Sequence, residues 1–179
     1  PDGARVASLH VDGSLRLWDA SSGAELWASP AIDGHTNASQ FSALAFDHGG
    51  ARLLTDGAGP REPSRCTVWD VATGTLAREL PNCSSPQFAA DDTRVVGRIA
   101  PDDDDRGLAA WDLATGAVTW RLNGKDLGHW LLAHDGQTLI VPMRNSQQVA
   151  LVPVPAAFDF VADPETPTLP NPPVRGSAT

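Results

Sequence analysis

The chain has 179 residues, of which 41% are hydrophobic and 20% are charged, and this is the composition of an ordinary globular protein. Its formal net charge of -9 argues against a nucleic-acid partner or an anionic membrane surface, because both attract clustered Lys and Arg. No apolar run approaches the ~20 residues of a membrane-spanning helix. We therefore expect neither nucleic acid nor a membrane as a partner.

Short strands separated by turns follow one another from the start of the chain. In the segment DGSLRLWDASSGAELW (12–27), an alternating strand ends at Trp18-Asp19 and a tight turn at Gly23 leads into the next strand. The stretches FSALAFD (41–47), RLLT (52–55), CTVWD (66–70) and TLARE (75–79) have the same character. No window shows a helical period, so the pattern predicts antiparallel hairpins.

One unit recurs along the chain. The segments WDASSGAELW (18–27), WDVATGTLAR (69–78) and WDLATGAVTW (111–120) align without gaps, and a fourth copy places Leu151 where the others have Trp. Four strands in about 40–45 residues are typical of a propeller blade. The predicted fold class is therefore all-β: blades of four-stranded antiparallel sheets, about three and a half to four of them, in an incomplete ring. The predicted segments are 1–33, 34–81, 82–123 and 124–162, followed by a Pro-rich disordered tail at 163–179.

The residues shared by the copies have a structural explanation. The Trp side chains fill the space between adjacent blades, the Asp carboxylates accept hydrogen bonds from turn N–H groups, and the Gly residues supply a positive φ. These structural positions are Trp18, Trp69 and Trp111; Asp19, Asp70 and Asp112; and Gly23, Gly74 and Gly116. Trp27 and Trp120, on the strand after the turn, extend the packing between blades.

With these residues the chain resembles the WD40 repeat family. Asp12 stands in the turn before Trp18, Asp105 stands at the same distance before Trp111, and Gly34-His35 enters the second unit as that family's Gly-His pair does. Ser8 lies where the family places a hydroxyl. The resemblance implies a buried network of His, Asp, hydroxyl and Trp in each blade. No copy carries the full set, so we expect a degenerate propeller that rests mainly on apolar packing.

Signatures of catalysis and cofactor binding are absent from the sequence. There is no GxSxG, HExxH, CxxC, P-loop or GxGxxG pattern, and the five His residues do not recur at metal-ligand spacing. We expect a non-enzymatic chain without a cofactor or metal. Cys66 and Cys83 are too few to define a disulfide framework, and we expect isolated thiols and a cytoplasmic location, with pairing the alternative for an exported chain.

The candidate partner-binding residues lie in two loops of the second and third units. The turns TDGAGPREPSR (55–65) and APDDDDRG (100–107), each between the second and third strands of its unit, are longer than their counterparts and carry charge. Charged loops on a rigid scaffold are frequent sites of binding. The candidates are Arg61 and Arg65 in one loop, and Asp102, Asp103, Asp104, Asp105 and Arg106 in the other.

Two functional hypotheses remain open. The first is a protein-interaction scaffold that binds other proteins or peptides, a propeller segment of a larger, bacterial and signalling protein whose missing blades precede residue 1. The second is a quinoprotein-type propeller of an exported dehydrogenase or envelope assembly factor. Its repeats resemble Asp-x-x-Thr-Gly-x-x-x-Trp, a pattern that DLATGAVTW (112–120) satisfies.

Overall fold

The chain is described from a computed structural model. The structure describes residues 2–10, 12–29, 43–57, 64–99, 107–123, 130–133, 137–142 and 149–154, and within these ranges all regular structure is β-strand. Every pairing between neighbouring strands is antiparallel, and each strand pairs only with its neighbours in the chain. The prediction of an all-β fold built from successive propeller blades is confirmed.

Within the described ranges, fourteen strands form four sheets in chain order. Sheet 1 contains β1 (Arg5–Leu9), β2 (Leu15–Asp19) and β3 (Glu25–Ala28). Sheet 2 contains β4 (Leu44–Phe46), β5 (Arg52–Gly57), β6 (Arg65–Asp70) and β7 (Leu76–Pro81). Sheet 3 contains β8 (Cys83–Phe88), β9 (Arg94–Ile99), β10 (Gly107–Asp112) and β11 (Val118–Asn123). Sheet 4 contains β12 (Leu131–Leu132), β13 (Thr138–Pro142) and β14 (Val149–Pro153).

The central strands of sheets 2 and 3 are buried on both faces, because each of these sheets is packed between two others. In β10, the residues from Gly107 to Trp111 are all buried, and β5 is buried from Leu53 to Gly57. A strand covered on only one face alternates between more and less exposed residues, as β14 does with its exposed and half-buried positions. Three apolar cores therefore lie between the sheets, and they join sheet 1 to sheet 2, sheet 2 to sheet 3, and sheet 3 to sheet 4.

The pairing register corrects the alignment of the fourth unit. Trp69 lies opposite Leu53 and Trp111 lies opposite Val95, whereas the residue opposite the matching Leu139 is Val152. The expectation that Leu151 takes the Trp position is wrong by one residue. Because successive strand residues point to opposite faces, that shift moves Leu151 from the face against sheet 3 to the opposite face of the sheet.

The extra length of the second and third units is also divided differently than expected. In sheet 2, β5 continues through Thr55, Asp56 and Gly57, and β6 begins at Arg65. The additional residues therefore lengthen the paired strands of the hairpin as well as its loop. The end of the fourth predicted unit, residues 156–162, and the predicted tail 163–179 lie outside the described residues.

Candidate functional site

Three equivalent turns are each organised by a carboxylate: β2–β3 in sheet 1, β6–β7 in sheet 2 and β10–β11 in sheet 3. Asp70 Oδ1 accepts hydrogen bonds from Thr73 Oγ1 and Thr73 N, both at 2.8 Å, and Asp112 is bonded in the same way by Thr115. The side-chain hydrogen bonds are the main reason that the pKa of each carboxyl lies below its ordinary value. Asp19, which is bonded by Ser21 and Ser22, has the most strongly lowered pKa.

The same turns are the points at which neighbouring sheets dock. Trp27 of β3 donates from Nε1 to the carbonyl of Val71 at 2.8 Å, and its ring covers Gly74 in the next sheet's turn. Arg78 of β7 occupies the position of Trp27 and donates to the carbonyls of Leu113 and Ala114 in the turn of sheet 3. At this edge, the described turns thus join sheet 1 to sheet 2 and sheet 2 to sheet 3.

The Trp positions are tied to their own sheets through hydroxyl groups. Trp18 Nε1 donates to Ser8 Oγ at 2.7 Å, and Trp69 Nε1 donates to Thr55 Oγ1 at 3.1 Å. Ser8 Oγ also lies 3.0 Å from His10 Nε2, so a histidine from the same hairpin completes the contact in sheet 1. Asp12 bonds to Ser14 in its own turn. The expected network partners His35 and Asp105 lie outside the described residues.

In sheet 3 the hydroxyl position is occupied by Gly97, and a sulfur atom lies against it. A Cβ atom at Gly97 would lie 3.1 Å from Cys83 Sγ and 3.4 Å from Trp111 Cζ3. The absence of a side chain at this position leaves the space that Cys83 fills beneath Trp111.

Cys66 and Cys83 form a disulfide, so the expectation of two isolated thiols is wrong. The two Cα atoms are 5.3 Å apart, and both side chains are fully buried between sheets 2 and 3. Their separation in sequence gives no indication of this contact. The turn between β7 and β8 brings β8 back against β6, and only that return places the two sulfur atoms together.

Asp56 is a buried carboxylate that sequence reasoning missed. Its Oδ1 accepts a hydrogen bond from Ala43 N at 2.7 Å, and its Oδ2 accepts one from Ser85 N at 2.8 Å. Ser85 has a φ of 47° and lies in a bulge of β8, which directs its N–H towards the neighbouring sheet. The dipeptide Asp56-Gly57 is typical of a turn, so the sequence predicts an exposed Asp56. In the structure β5 continues through both residues, and this places the Asp56 side chain in a buried position.

Together, Asp56 and the disulfide fix the bases of the two long loops relative to each other. Cys66 follows Arg65, the first strand residue after one loop, while Cys83 is paired with Ile99, the last strand residue before the other. The loops at 58–64 and 100–106 therefore leave one rigid, covalently joined platform. We call Asp56, Arg65, the disulfide Cys66–Cys83 and Ile99 the loop platform.

Arg65 is the candidate binding residue whose place the structure describes. Its Nη1 lies 3.5 Å from Glu79 Oε1 on β7, and both side chains are partly exposed. The other candidates lie outside the described residues: Arg61, Asp102, Asp103, Asp104, Asp105 and Arg106. The bases of the two candidate loops are thus joined in the structure. A role of the loops themselves in binding stays a prediction.

A second polar cluster lies at the edge of the sheets that is opposite the loop platform. His48 Nδ1 lies 2.8 Å from Asp92 Oδ1, and the backbone N–H groups of His48 and Gly49 also donate to this carboxylate. Burial raises the pKa of the Asp92 carboxyl, but these hydrogen bonds outweigh it and the net shift is downward. A cleft of about 390 Å³ lies beside this cluster, lined by Asp2, Arg5, Phe46, His48, Gly49 and Gly50.

The described residues contain no group of three His, Cys, Asp or Glu side chains placed to hold a metal ion. The same part of the chain contains no helix with the length and apolar character to cross a membrane.

Comparison with known proteins shows a similarity that covers part of the chain. Autophagy-related protein 16 from Arabidopsis thaliana is 31% identical over 124 residues, which are 65% of this chain and 22% of that protein. The chain thus spans about a fifth of the length of this relative. No family model matches the chain.

Proposed function

We propose that the chain is a non-catalytic interaction scaffold, a WD40-like propeller segment that binds a protein or peptide through the two long loops. The observation that carries the proposal is the loop platform. Cys66 and Cys83 join the bases of loops from different sheets, and the Asp56 carboxylate adds a second tie to Ser85 N. The anchors of both loops are already held at a fixed separation before a partner binds. Binding therefore orders fewer residues, which lowers its entropic cost.

The charges of the two loops indicate the chemistry of the partner. The loop at 100–106 contains four consecutive Asp residues, and the loop at 58–64 contains Arg61 next to a platform that carries Arg65. A partner with a basic segment would meet the acidic loop, and the association would weaken with added salt. The similarity to a protein named for autophagy is compatible with an interaction role.

A peptide selection tests this proposal. A displayed peptide library is selected on the immobilised chain and then measured against a variant in which Asp102–Asp105 are replaced by Asn, which keeps the loop length. We expect selected peptides to be enriched in Lys and Arg and to lose about tenfold or more in affinity for the variant.

An Asp2→Asn variant serves as the control, because Asp2 lies beside the cleft at the opposite edge of the sheets. Peptides that bind both variants as tightly as the unmodified chain would contradict a role for the acidic loop. A separate variant with residues 58–63 replaced by Gly and Ser tests the loop that contains Arg61.

The quinoprotein-type alternative is favoured by two observations. Disulfides persist in oxidising compartments, so the buried pair Cys66–Cys83 is compatible with an exported chain. The quinoprotein-type repeat also ends on a Trp. In the first copy Trp27 holds this last position, and it packs against Gly74 of the next copy. Mass-spectrometric measurement of the thiol state of Cys66 in intact cells separates an exported chain from one kept in a reducing compartment.

A further inference from the structure

In sheet 3 a sulfur atom takes the place that a hydroxyl group holds in sheets 1 and 2. The indole N–H groups of Trp18 and Trp69 each donate to a hydroxyl in their own sheet. The equivalent position in sheet 3 is Gly97, which has no side chain to offer Trp111. A side chain at Gly97 would contact both the Trp111 ring and Cys83 Sγ, so the ring and the sulfur meet at this point. The packing of the third Trp therefore depends on the disulfide beside it.

The disulfide Cys66–Cys83 fits a space that two separate thiols would exceed. Both cysteines are fully buried, and a Cβ atom at Gly97 would lie only 3.1 Å from Cys83 Sγ. Sulfur atoms that are not bonded stand farther apart than bonded ones, because their electron shells repel each other. In a closely packed interior, that extra separation requires a movement of the backbone. Reduction of the bond therefore drives β6 and β8 apart.

Of these two strands, β8 is the one that is free to move. β6 is paired with β5 on one side and with β7 on the other, whereas β8 is the last strand of sheet 3 and is paired only with β9. β8 also contains a bulge, where its pairing with β9 shifts between Ser84 and Gln87. Fewer backbone hydrogen bonds thus hold β8 than β6. Separation of the thiols displaces β8 from sheet 2.

A displacement of β8 reaches the bases of both long loops. The Asp56 carboxylate accepts a hydrogen bond from Ser85 N at 2.8 Å, and the strand of Asp56 leads into the loop at 58–64. Cys83 lies opposite Ile99, the last strand residue before the other loop. Movement of β8 withdraws Ser85 N from a buried carboxylate, which is costly, and it shifts the partner strand that holds Ile99. The state of the bond is therefore coupled to both loop anchors.

We propose that the bond Cys66–Cys83 is a redox gate for partner binding: the loop platform has its binding geometry when the two thiols are oxidised and loses it when they are reduced. This inference rests on the proposed function, because the gated activity is binding by the two loops. The tight and the loosened platform are the two states, and the covalent bond is the interaction that favours one of them. Partner binding is thereby confined to oxidising conditions.

The bond forms by exchange with a donor disulfide, such as that of a thiol oxidoreductase or of oxidised glutathione. One cysteine thiolate attacks a donor sulfur, which gives a mixed disulfide and releases one donor thiolate. The second cysteine thiolate attacks the sulfur of the first and releases the other donor thiolate. The chain loses two electrons and its two thiol protons, and the donor gains both as two thiols. Because both sulfur atoms are buried in the folded chain, the exchange takes place while the junction of sheets 2 and 3 is open.

Two preparations of the whole chain test the gate. The chain is unfolded in urea and refolded either in a glutathione redox buffer or with a phosphine reductant, and mass spectrometry verifies the thiol state. The affinity of both preparations is measured for peptides selected on the oxidised chain, limited to peptides without Cys. We expect reduction to weaken binding about tenfold or more. The control variant Cys66→Ala/Cys83→Ala should bind with the same affinity in both buffers.

Hydrogen exchange of backbone amides reports on the loop platform without any partner. We expect the Ser85 amide to exchange about tenfold or more faster in the reduced chain, because its hydrogen bond to Asp56 is weakened. The amides of His48 and Gly49 are the matched control. They donate to Asp92, which joins the same two sheets at the opposite edge, so their exchange should not change.

A hydroxyl group at position 97 tests whether the sulfur has taken the place of a hydroxyl. In the oxidised chain, Gly97→Ser places a Cβ atom 3.1 Å from Cys83 Sγ, and we expect a lower urea midpoint. In Cys66→Ala/Cys83→Ala the sulfur is absent and the new hydroxyl can accept from Trp111 as in sheets 1 and 2, so the midpoint should rise. A shift in the same direction in both backgrounds would overturn this role of the sulfur.

Four further results would overturn the gate. Equal exchange of the Ser85 amide in both preparations shows that the bond does not control the platform. Faster exchange with unchanged affinity shows that the platform does not determine binding. A reduced chain that loses its circular dichroism spectrum makes the bond a condition of folding, not of binding. An oxidised chain that selects no peptide overturns the proposed function and with it the gated activity, and the exchange of Ser85 distinguishes this failure from a platform that does not respond to reduction.

Discussion

Gly23 and Gly74 hold the same place in two successive turns, but only Gly74 is covered by another sheet. Both have positive φ values, 71° and 70°. A Cβ atom at Gly74 would lie 2.7 Å from Trp27 Cδ2, whereas one at Gly23 would meet nothing within 4 Å. Glycine is therefore required at Gly23 for the backbone alone, and at Gly74 for both the backbone and the close approach of an indole ring.

Substitution of these two glycines by alanine separates the two requirements. We expect Gly23→Ala to lower the free energy of unfolding by about 1 kcal/mol, the cost of a left-handed conformation for a residue with a Cβ atom. Gly74→Ala should cost a further ~1–3 kcal/mol, because Trp27 must move away from the turn. Urea unfolding followed by Trp fluorescence measures both. Equal losses for the two variants would show that the docking of Trp27 does not constrain the turn.

The turn carboxylates make stability dependent on acid pH. The pKa of Asp112 lies below its ordinary value of 3.8, chiefly through the hydrogen bond from the Thr115 hydroxyl. Because the folded-state pKa is the lower one, the carboxylate's contribution is complete above the unfolded pKa and is lost as the pH falls through the folded pKa.

Removing one carboxylate charge should therefore flatten the acid side of the stability profile. Asp112→Asn keeps an oxygen acceptor for Thr115 and removes the ionisation. We expect its urea midpoint to fall less than that of the unmodified chain between about pH 5 and pH 2.5, since one proton-linked group is gone. The midpoints are measured at several pH values in that interval. Parallel profiles for the two proteins would contradict the proposed contribution of Asp112.

Among the elements, β6 and β8 form a contact that is one of the junctions between sheets 2 and 3. Cys66 and Cys83 bond across it, Asp56 reaches Ser85 N beside it, and Gly97 leaves space for the sulfur atom. These residues belong to different strands and are not related by any short-range pattern. They hold the loop platform together, so a change that destabilises this junction also disturbs the base of the proposed binding site.

Removal of the disulfide should weaken this junction measurably. The bonded cysteines are 17 residues apart in sequence, and closing a loop of that size stabilises the folded chain by about 3 kcal/mol in the chain-entropy model. We expect the Cys66→Ala/Cys83→Ala variant to lose about that amount, and a reducing agent to have no effect on it. A variant as stable as the oxidised chain would contradict a structural role for the bond.

At the scale of the whole molecule, the sheets differ in how many of their faces are covered. In the described part of the chain, sheets 2 and 3 are packed on both faces, whereas sheets 1 and 4 are each packed on one. In such a stacked arrangement, stability is approximately a sum of the contributions of single sheets and of the contacts between neighbours. The end sheets therefore receive less stabilisation than the central ones.

Hydrogen exchange of backbone amides should follow this order. We expect the amides of β6 and β10 to exchange slowest, because each lies at the centre of a sheet covered on both faces. The amides of β1 should exchange faster, since its side chains are exposed or only half-buried. Site-resolved exchange by NMR measures the difference. Uniform protection across all four sheets would instead indicate a single cooperative unit.

The repeat, the all-β class and the chemistry of the turns can be derived from the amino-acid sequence, because they depend on residues that are close together in the chain. An Asp, a hydroxyl and a Gly within one turn, such as Asp70, Thr73 and Gly74, suffice to close a hairpin. The disulfide, the buried position of Asp56 and the register that exposes Leu151 become visible in the folded arrangement of the sheets. Those outcomes depend on which sheet packs against which, and a one-residue shift of a strand reverses the face of every side chain in it.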